Sequence, residues 1–182
     1  IDALSAAPAA ERVAVDLCTG SGALALALAV EVPQARVWAV EKSPEAHAWA
    51  ERNLAALGGG RVELLLGDLR DARELLPAAL AGRVAVLVSN PPYVPDGMVP
   101  RDPEVREHDP ALALYGGADG LDLVRAISRI GLDLVAPGGT LVLEHAEGQG
   151  SAIRALLAAD GWRAPETHPD LTGRDRATTA LR

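Results

Sequence analysis

Residues 12–22 read Arg-Val-Ala-Val-Asp-Leu-Cys-Thr-Gly-Ser-Gly, an apolar run of strand length that leads into a glycine-rich turn. The next stretch, Gly22–Val32, is apolar on every side, and its leucines at every second position would also suit a strand. We predict a helix there, because alanine is the best helix former and because the glycine-rich turn suits a helix start. The whole stretch therefore predicts a strand, a tight turn and a helix, which is the repeating unit of an α/β fold.

The rest of the chain repeats this alternation of apolar runs and longer helical stretches. Strands are predicted at Arg12–Leu17, Arg36–Glu41, Arg61–Leu66, Val84–Ser89 and Thr140–His145. Their interiors are apolar runs rather than strictly alternating patterns, as expected for strands that are buried on both faces. The pattern predicts a mostly parallel sheet that is covered by helices.

The helix after the second strand has clear signals at both ends. Ser43 can cap its start, Pro44 suits its first position, and Gly58 lies just beyond its end. Further helices are predicted from Asp119 or Gly120 to just before Pro137, and over Gly148–Gly161.

The pattern changes after Gly161. Trp162–His168 and Arg176–Arg182 look like two short strands joined by a turn that contains Gly173. A strand pair that closes an otherwise parallel sheet indicates an antiparallel C-terminal edge. We expect Arg174 and Arg176 to stabilise that turn rather than to bind a substrate.

Length and composition indicate one globular domain, which we place over residues 1–182. Of the 182 residues, 49% are hydrophobic and 23% are charged. Apolar runs fall short of the roughly 18 residues that a membrane span needs, and the first residues lack the pattern of a signal peptide. A single cysteine excludes an internal disulfide and favours the reducing cytoplasm. Because little precedes the first strand and the chain starts at Ile1, we expect a fragment of a longer protein.

The charge balance weighs against nucleic acid as the main partner. The net charge is −8 and the isoelectric point is about 5.0, so the overall field repels phosphate backbones, although a local basic patch stays compatible. The four histidines are scattered and there is one cysteine, so we expect no metal site. For His145 we expect a structural role.

One segment, Asn90–Ala118, has no clear predicted element. It carries six of the chain's 13 prolines, at positions 91, 92, 95, 100, 103 and 110. Loops of this length are uncommon in compact domains and are usually functional or disordered. This segment directly follows the predicted fourth strand, at the edge where open α/β sheets bind ligands.

The ends of the first three strands carry residues that suit an adenosine-shaped ligand. Gly20 and Gly22 let the backbone turn tightly and approach a ligand closely, although a turn without a ligand would need them equally. Glu41 lies about 20 residues further on, where a carboxylate can accept hydrogen bonds from both ribose hydroxyls; pairing with Lys42 is the alternative. Asp68 could accept a hydrogen bond from an adenine amino group, with Leu69 against the ring.

The residues Asn90-Pro91-Pro92-Tyr93 follow the predicted fourth strand. Aromatic residues make up 3% of the chain, and one of them stands here beside two prolines. Proline fixes φ and removes an N–H donor, so the Pro91 region presents a carbonyl, and Asn90 adds a side-chain oxygen. Two aimed acceptors beside an aromatic face predict a cradle for a planar –NH2 group.

This order of motifs resembles class I methyltransferases that act on amide or amino nitrogens. The resemblance continues in the segments Asp109–Leu112, Gly116–Leu121, Pro137–Gly139, Leu143–His145 and Gly173–Arg176. From Val13 onward, the series resembles the HemK/PrmC family, the protein-(glutamine-N5) methyltransferases of peptide-chain release factors. The N-P-P-Y motif is shared with DNA adenine methyltransferases, whereas the full series is much more selective.

The resemblance implies a class I, Rossmann-like α/β fold with a mostly parallel seven-stranded sheet, helices on both faces and an antiparallel C-terminal edge strand. The cofactor it implies is S-adenosylmethionine, with S-adenosylhomocysteine as product. The residues expected to bind it are Asp16, Cys18, Thr19, Gly20, Ser21, Gly22, Glu41, Asp68, Leu69 and Asn90. The residues expected at the methyl acceptor are Asn90, Pro91, Pro92 and Tyr93.

The implied substrate is a protein, namely the glutamine of the Gly-Gly-Gln motif of class I release factors. From composition and charge we expect a cytoplasmic protein without direct nucleic-acid or membrane partners, and we expect it to be a monomer. The chain departs from the family at Cys18, where glycine is common, and at Asp109, where glutamate is usual. Cys18 should be tolerated if its φ angle is not positive. The helical N-terminal domain with which the family grips its substrate is missing from this sequence.

Other functions compete with this interpretation. A glutamine methyltransferase for a ribosomal protein would share every motif. An adenine-N6 methyltransferase for nucleic acid is disfavoured by the acidic balance. A non-catalytic binding module would not require aimed acceptors in an N-P-P-Y motif, and the glycine pattern excludes a dinucleotide-dependent dehydrogenase.

Overall fold

The computed structural model describes residues 1–99 and 103–182, and all the strands predicted from the sequence lie in a common sheet. The strands are β1 (Val13–Leu17), β2 (Arg36–Glu41), β3 (Val62–Leu66), β4 (Val84–Ser89), β5 (Val135–Glu144), β6 (Arg163–Pro169) and β7 (Asp175–Leu181). The helices are α1 (Asp2–Ala6), α2 (Ala23–Glu31), α3 (Pro44–Leu57), α4 (Ala72–Leu75), α5 (Pro103–His108), α6 (Ala111–Leu114), α7 (Asp122–Leu134) and α8 (Gly150–Asp160).

The strand order places a ligand crevice beside β1. In the described residues the sheet has seven strands in the order β3-β2-β1-β4-β5-β7-β6. The chain runs outward from β1 to β3, then returns to start again at β4 on the other side of β1. Open α/β sheets bind ligands at such a reversal, at the carboxyl ends of the strands. Leu17 pairs in register with Ser89, so the segments that follow β1 and β4 start side by side.

The C-terminal strand pair forms the antiparallel edge that the sequence predicts. β7 is antiparallel to β5 and to β6, and it lies between them, so β6 is the outermost strand. Because β7 runs against the other strands, the turn between β6 and β7 lies at the same edge of the sheet as the carboxyl ends of the parallel strands. Gly173 lies in this turn with a φ of +83°.

The buried side chains form a layer on each face of the sheet, because neighbouring residues of a strand point to opposite faces. In β1, Ala14 joins one layer and Val15 joins the other. The layer with Ala14 includes Leu4 of α1 and Leu28 of α2. The layer with Val15 includes residues of α7 and α8, namely Val124, Ile127, Ile130, Leu134, Ile153 and Leu157. Helices therefore cover both faces, which confirms the predicted layered fold.

Helix boundaries follow the predicted signals closely for α3. The Ser43 hydroxyl accepts a hydrogen bond from the Ala46 N–H at 3.3 Å, Pro44 is the first helical residue, and Gly58 is the C-cap. The prediction for α7 was early by two or three residues. The helix begins at Asp122, and the Asp119 carboxylate accepts a hydrogen bond from the Leu121 N–H just before it.

The prediction of an element-free segment over Asn90–Ala118 was wrong. The segment contains α5 and α6, and Val94 and Tyr115 form an isolated parallel bridge. Helices of six and four residues are too short to produce a hydrophobic period that a sequence pattern reveals. Pro100 lies outside the described residues. In the part of the chain that the structure describes, no helix has the length and apolar character for crossing a membrane.

Candidate functional site

A cavity of about 750 Å³ opens along the carboxyl ends of β1 to β4. Its volume is in the range of small-molecule and cofactor sites. The turn after β1, the ends of β2 and β3, and the segment after β4 all line it, and residues of α5 and α6 complete its wall. Of the predicted site residues, those in the lining are Cys18, Thr19, Gly20, Ser21, Glu41, Asp68, Leu69, Asn90, Pro91, Pro92 and Tyr93.

We call residues Asp16–Gly22 the cofactor turn. The buried side chain of its first residue, Asp16, stabilises the turn by hydrogen bonds. Its side chain is fully buried, and Oδ2 accepts hydrogen bonds from the Thr19 hydroxyl at 2.5 Å and from the Ala25 N–H at 3.1 Å. Oδ1 has no hydrogen-bond partner among the described residues. Burial raises the Asp16 pKa to about 7, although the bonds from Thr19 and Ala25 lower it in part. Asp16 is not among the described lining residues, so its contacts secure the turn.

The two glycines of the cofactor turn face different surroundings. Gly20 has a φ of +58°, lines the cavity, and a Cβ built on it would meet no atom of the described chain within 4 Å. Gly22 has a φ of +84°, and its Cβ would lie 3.5 Å from the Cβ of Ala50 in α3. Gly20 therefore leaves cavity space open for a ligand, whereas a Cβ on Gly22 would make an ordinary contact with α3, so that glycine is required by its left-handed backbone.

Cys18 departs from the sequence expectation. Its φ is +61°, so the condition under which a non-glycine residue would be tolerated without strain is not met. This left-handed conformation brings the Cβ close to the following carbonyl oxygen and costs free energy that glycine would not incur. Burial, then the nearby Glu41 and Asp16 carboxylates, raise the pKa of the Cys18 thiol to about 12, so the thiol stays protonated.

Glu41 connects the cofactor turn to the start of α3. Its Oε2 accepts a hydrogen bond from the Gly20 N–H at 2.8 Å, and its Oε1 accepts one from the Ser43 N–H at 2.7 Å. The carboxylate is buried, at 8% exposure, yet it lines the cavity. Each carboxylate oxygen has a second lone pair, so both oxygens can still accept from a pair of ligand hydroxyls. The backbone contacts fix the carboxylate before any ligand arrives.

Lys42 pairs with Asp68 rather than with Glu41. The distance from Lys42 Nζ to Asp68 Oδ2 is 2.9 Å, and Asp68 Oδ1 accepts a hydrogen bond from the Arg70 N–H at 2.9 Å. Partial burial raises the Asp68 pKa, but these two contacts outweigh it and lower the pKa overall. Asp68 is therefore an ionised acceptor at the end of β3, and the neighbouring Leu69 adds an apolar wall.

The residues Asn90–Tyr93, named here the acceptor segment, start where β4 ends. Asn90 is exposed, Pro91 is buried, and Tyr93 is partly buried. Within residues 1–99 and 103–182, neither the Asn90 side chain nor the Pro91 carbonyl makes a hydrogen bond. Burial and the Glu144 carboxylate raise the Tyr93 pKa, which Arg176 lowers in part, so the phenol stays neutral. The segment presents two free acceptors and a neutral aromatic ring to the cavity.

The acceptor segment packs against residues 114–120. The Val94 N–H donates to the Leu114 carbonyl at 2.8 Å, and the Gly116 N–H donates to the Val94 carbonyl at 2.9 Å. Gly116 is close to the Pro92 carbonyl, so that a Cβ at this position would clash with it. The Gly116–Leu121 segment is therefore a support for the acceptor segment, which explains why glycines are needed there.

Several lining residues were not predicted as site residues. They include Lys42, Ser43, Val105, Leu112, Tyr115 and Arg176. Arg176 was expected to stabilise the turn between β6 and β7, and its Nε does lie 3.7 Å from the Asp170 carboxylate, but the residue also lines the cavity. The position of Arg176 at the start of β7, which is antiparallel, could have indicated this, because that start lies at the ligand edge.

His145 is fully buried, and its Nε2 lies 2.8 Å from the Thr178 hydroxyl of β7. It therefore joins β5 to β7 and contributes no group to the cavity lining among the described residues. In the described ranges, His, Cys, Asp and Glu side chains form no cluster of three or more that could bind a metal ion.

Known proteins resemble this chain in sequence and in structure. Residues 1–102 match the model of the methyltransferase small domain family. The chain is 48% identical to a release factor glutamine methyltransferase of Streptomyces coelicolor, over 99% of this chain and 62% of that protein. It is 44% identical to a 4-amino-L-phenylalanine/4-methylamino-L-phenylalanine methyltransferase of Streptomyces pristinaespiralis, over 92% of this chain and 55% of that protein. The chain thus spans less than two thirds of each relative.

The fold is also that of a solved SAM dependent methyltransferase from Aquifex aeolicus. The TM-score is 0.64 at 13% identity, over 93% of this chain and 81% of that one. At this identity the likeness concerns the fold, and it confirms the predicted Rossmann-like sheet with its antiparallel C-terminal strand pair.

Proposed function

The chain belongs to the methyltransferase small domain family, and we propose that it transfers a methyl group from S-adenosylmethionine to the side-chain amide nitrogen of a protein glutamine. The observation that supports this most directly is the pairing of two halves in a single cavity. One half consists of the Glu41 carboxylate, which the Gly20 N–H holds in place, and the glycine turn itself. The other half consists of two acceptors without a hydrogen-bond partner in the described chain, the Asn90 side-chain oxygen and the Pro91 carbonyl. The proposed substrate is the Gly-Gly-Gln glutamine of class I release factors, as the name of the Streptomyces coelicolor relative suggests.

The cofactor half suits S-adenosylmethionine in its chemistry. Glu41 would accept hydrogen bonds from the ribose hydroxyls, and Asp68 from the adenine amino group, with Leu69 beside the ring. The open space over Gly20 would take the part of the ligand that lies against the cofactor turn. When bound, the cofactor supplies an electrophilic methyl group on a sulfonium.

An amide nitrogen is a poor nucleophile, because its lone pair is delocalised into the carbonyl. In the proposed mechanism, the Asn90 side-chain oxygen and the Pro91 carbonyl accept the two amide hydrogens of the glutamine. This orients the nitrogen lone pair toward the methyl carbon and offsets the positive charge that develops on nitrogen. Tyr93 packs against the amide plane. The bound methyl donor would give up its sulfur–carbon bond as the nitrogen–carbon bond forms, and the amide proton, which becomes acidic at that stage, would leave to water.

A second acceptor is favoured by a specific observation. The 44% identical relative is named for a substrate whose amino group is attached to an aromatic ring and is therefore also planar. The acceptor segment would suit such a group equally, and Arg176 in the cavity lining is a cation that could pair with a free carboxylate. Ribosomal-protein glutamine and nucleic-acid adenine remain further alternatives.

The experiment offers full-length enzyme and labelled S-adenosylmethionine with four acceptors in turn: release factor, ribosomal protein, DNA and 4-amino-L-phenylalanine. We expect label in the release factor, at the glutamine of its Gly-Gly-Gln motif by peptide mass spectrometry. A release factor with that glutamine changed to alanine is the control. Label in another acceptor but not in the release factor would refute the proposed substrate. Since release factors act in the cytoplasm, we also place the activity there.

A further inference from the structure

Gln149, the residue just before α8, contacts three segments that are far apart in the sequence. Its Nε2 donates a hydrogen bond to the Tyr93 carbonyl at 2.9 Å and lies 3.4 Å from the Asp119 carbonyl. Its Oε1 accepts a hydrogen bond from the Ala146 N–H at 3.0 Å. Both ends of the amide are engaged, so the orientation of the side chain is fixed.

The fold leaves room for this contact at Gly120. That residue is buried with a φ of +74°, and a Cβ on it would lie 2.7 Å from Gln149 Nε2 and would clash with the Tyr93 carbonyl. Gly120 also donates its own N–H to the Gly117 carbonyl at 3.1 Å, which closes the turn around the contact. The close approach of two backbone segments to one amide nitrogen therefore depends on a glycine at position 120.

The contact lies at one end of the acceptor segment. Between Asn90 and Tyr93 the two prolines have fixed φ angles, so this short stretch is stiff. If the Tyr93 peptide moves, the Pro91 carbonyl must therefore move with it. That carbonyl is one of the two acceptors in the proposed mechanism. After Tyr93, the backbone of Val94 is hydrogen-bonded to Leu114 and Gly116. Tyr93 therefore connects the acceptor segment to residues 114–120, which support it.

We propose that Gln149 is a positioning residue for methyl transfer. By donating to the Tyr93 carbonyl, it fixes the acceptor segment at the geometry in which Asn90 and Pro91 aim the substrate nitrogen at the methyl carbon. The role of Gln149 in methyl transfer rests on the proposed function, but its effect on the position of the acceptor segment does not. Positioning matters because a shift of about 1 Å at reacting groups can cost roughly 100-fold in rate.

The test compares the full-length wild-type enzyme with Gln149→Glu and Gln149→Met. Glutamate keeps an acceptor for the Ala146 N–H and is favourable at a helix start, so α8 should remain intact. It replaces the donor by an oxygen that faces the Tyr93 and Asp119 carbonyls. Methionine removes the donor without adding that repulsion. We expect kcat on release factor to decrease in the order wild type, Met, Glu, by roughly 10-fold to 100-fold for Glu.

The affinity for S-adenosylhomocysteine, measured by calorimetry, should change less than about twofold in both variants, since Gln149 is not among the described residues that line the cavity. Arg154→Ala is the matched control, because Arg154 also lies on α8 but bonds to Thr167 rather than to the acceptor segment. It should leave kcat unchanged. Wild-type kcat in Gln149→Glu would overturn the proposal, as would an equal loss of kcat in Arg154→Ala.

A second measurement is independent of the methyl acceptor. Hydrogen exchange on the S-adenosylhomocysteine complexes should show faster exchange at the Val94 and Gly116 amides in Gln149→Glu, because those bonds open when Tyr93 is released. Unchanged exchange at both amides would overturn the positioning role. If release factor is not methylated, the proposed function is refuted. The exchange rates of the Val94 and Gly116 amides still test whether Gln149 positions the acceptor segment.

Discussion

The Ser89 hydroxyl donates a 2.5 Å hydrogen bond to the carbonyl of Leu17, and both groups are buried at the carboxyl ends of adjacent strands. Leu17 lies within the cofactor turn, and Ser89 is the last residue before the acceptor segment. The bond therefore joins the two halves of the cavity at their common boundary. The proposed methyl transfer needs donor and acceptor in a defined relative position, and we expect this bond to help set it.

Asn90 provides the most direct test of the acceptor half. Asn90→Ala removes one of two acceptors for the amide hydrogens, so we expect kcat to decrease by roughly 100-fold, as for other groups that stabilise developing charge. Affinity for S-adenosylhomocysteine should change little. Asp96→Ala, at an exposed position beyond the acceptor segment, is the control. An Asn90→Ala enzyme that keeps most of its turnover would refute the assignment of Asn90.

Gly20 and Gly22 make a matched pair for the cofactor half. Both have positive φ, so alanine should strain either position by about 1 kcal/mol. The new Cβ differs in its surroundings: at Gly20 it would occupy cavity space, and at Gly22 it would meet Ala50 at 3.5 Å. We expect Gly20→Ala to weaken S-adenosylhomocysteine binding by about tenfold or more, and Gly22→Ala to lower stability with little change in affinity. Calorimetry and urea denaturation distinguish these effects, and equal affinities in both variants would contradict them.

Cys18 stores strain that glycine would relieve. With its φ at +61°, Cys18→Gly should be more stable than Cys18→Ala by about 1 kcal/mol, since both variants lose the thiol and only alanine keeps a Cβ. Urea denaturation of the two variants measures the difference. Equal free energies of unfolding would mean that the backbone at this position relaxes without cost.

Asp16 makes stability depend on pH. Its pKa is raised from 3.8 to about 7, so between these values the folded state binds more protons than the unfolded state. The contribution of Asp16 to the free energy of unfolding should therefore be largest below about pH 4. It should decline as pH rises toward 7, by on the order of 4 kcal/mol in total.

Asp16→Asn has no such proton to lose, so its unfolding free energy should show a flatter profile between pH 4 and pH 7. Asp71→Asn, a change at an exposed acid, serves as the comparison. The same slope in wild type and Asp16→Asn would contradict the raised pKa of Asp16.

The sequence predicted those features that have local causes. β2 and β4 have the predicted bounds, and Ser43 caps α3, because apolar runs and caps are short-range signals. The site prediction brought together residues from four strand ends, since parallel strands end at the same edge of a sheet. The left-handed backbone at Cys18 was not predicted, because positive φ is rare for cysteine and nothing in the sequence indicates it there.

Other features depend on contacts between distant parts of the chain. The helices α5 and α6 are too short for a periodic pattern, and Arg176 reaches the cavity through the reversed direction of β7. The Gln149 contact to Tyr93 spans 56 residues, and a glutamine near a helix start gives no indication of a partner that far away. Asp16, which is predicted to bind the cofactor, is fully buried and is not among the described lining residues, and its burial depends on the packing of distant elements.

The reversal of strand order beside β1 also bears on how such enzymes diversify. Under the proposed function, the ends of β1 to β3 hold the groups for the nucleoside, whereas the segment after β4 and the start of β7 lie around the acceptor, so the border between β1 and β4 separates the two sets of residues. We therefore expect substitutions on the acceptor side to change which nitrogen is methylated with little effect on the affinity for the methyl donor. The relatives named for a release factor and for a free amino acid, at 48% and 44% identity, fit a site in which the acceptor side can change on its own.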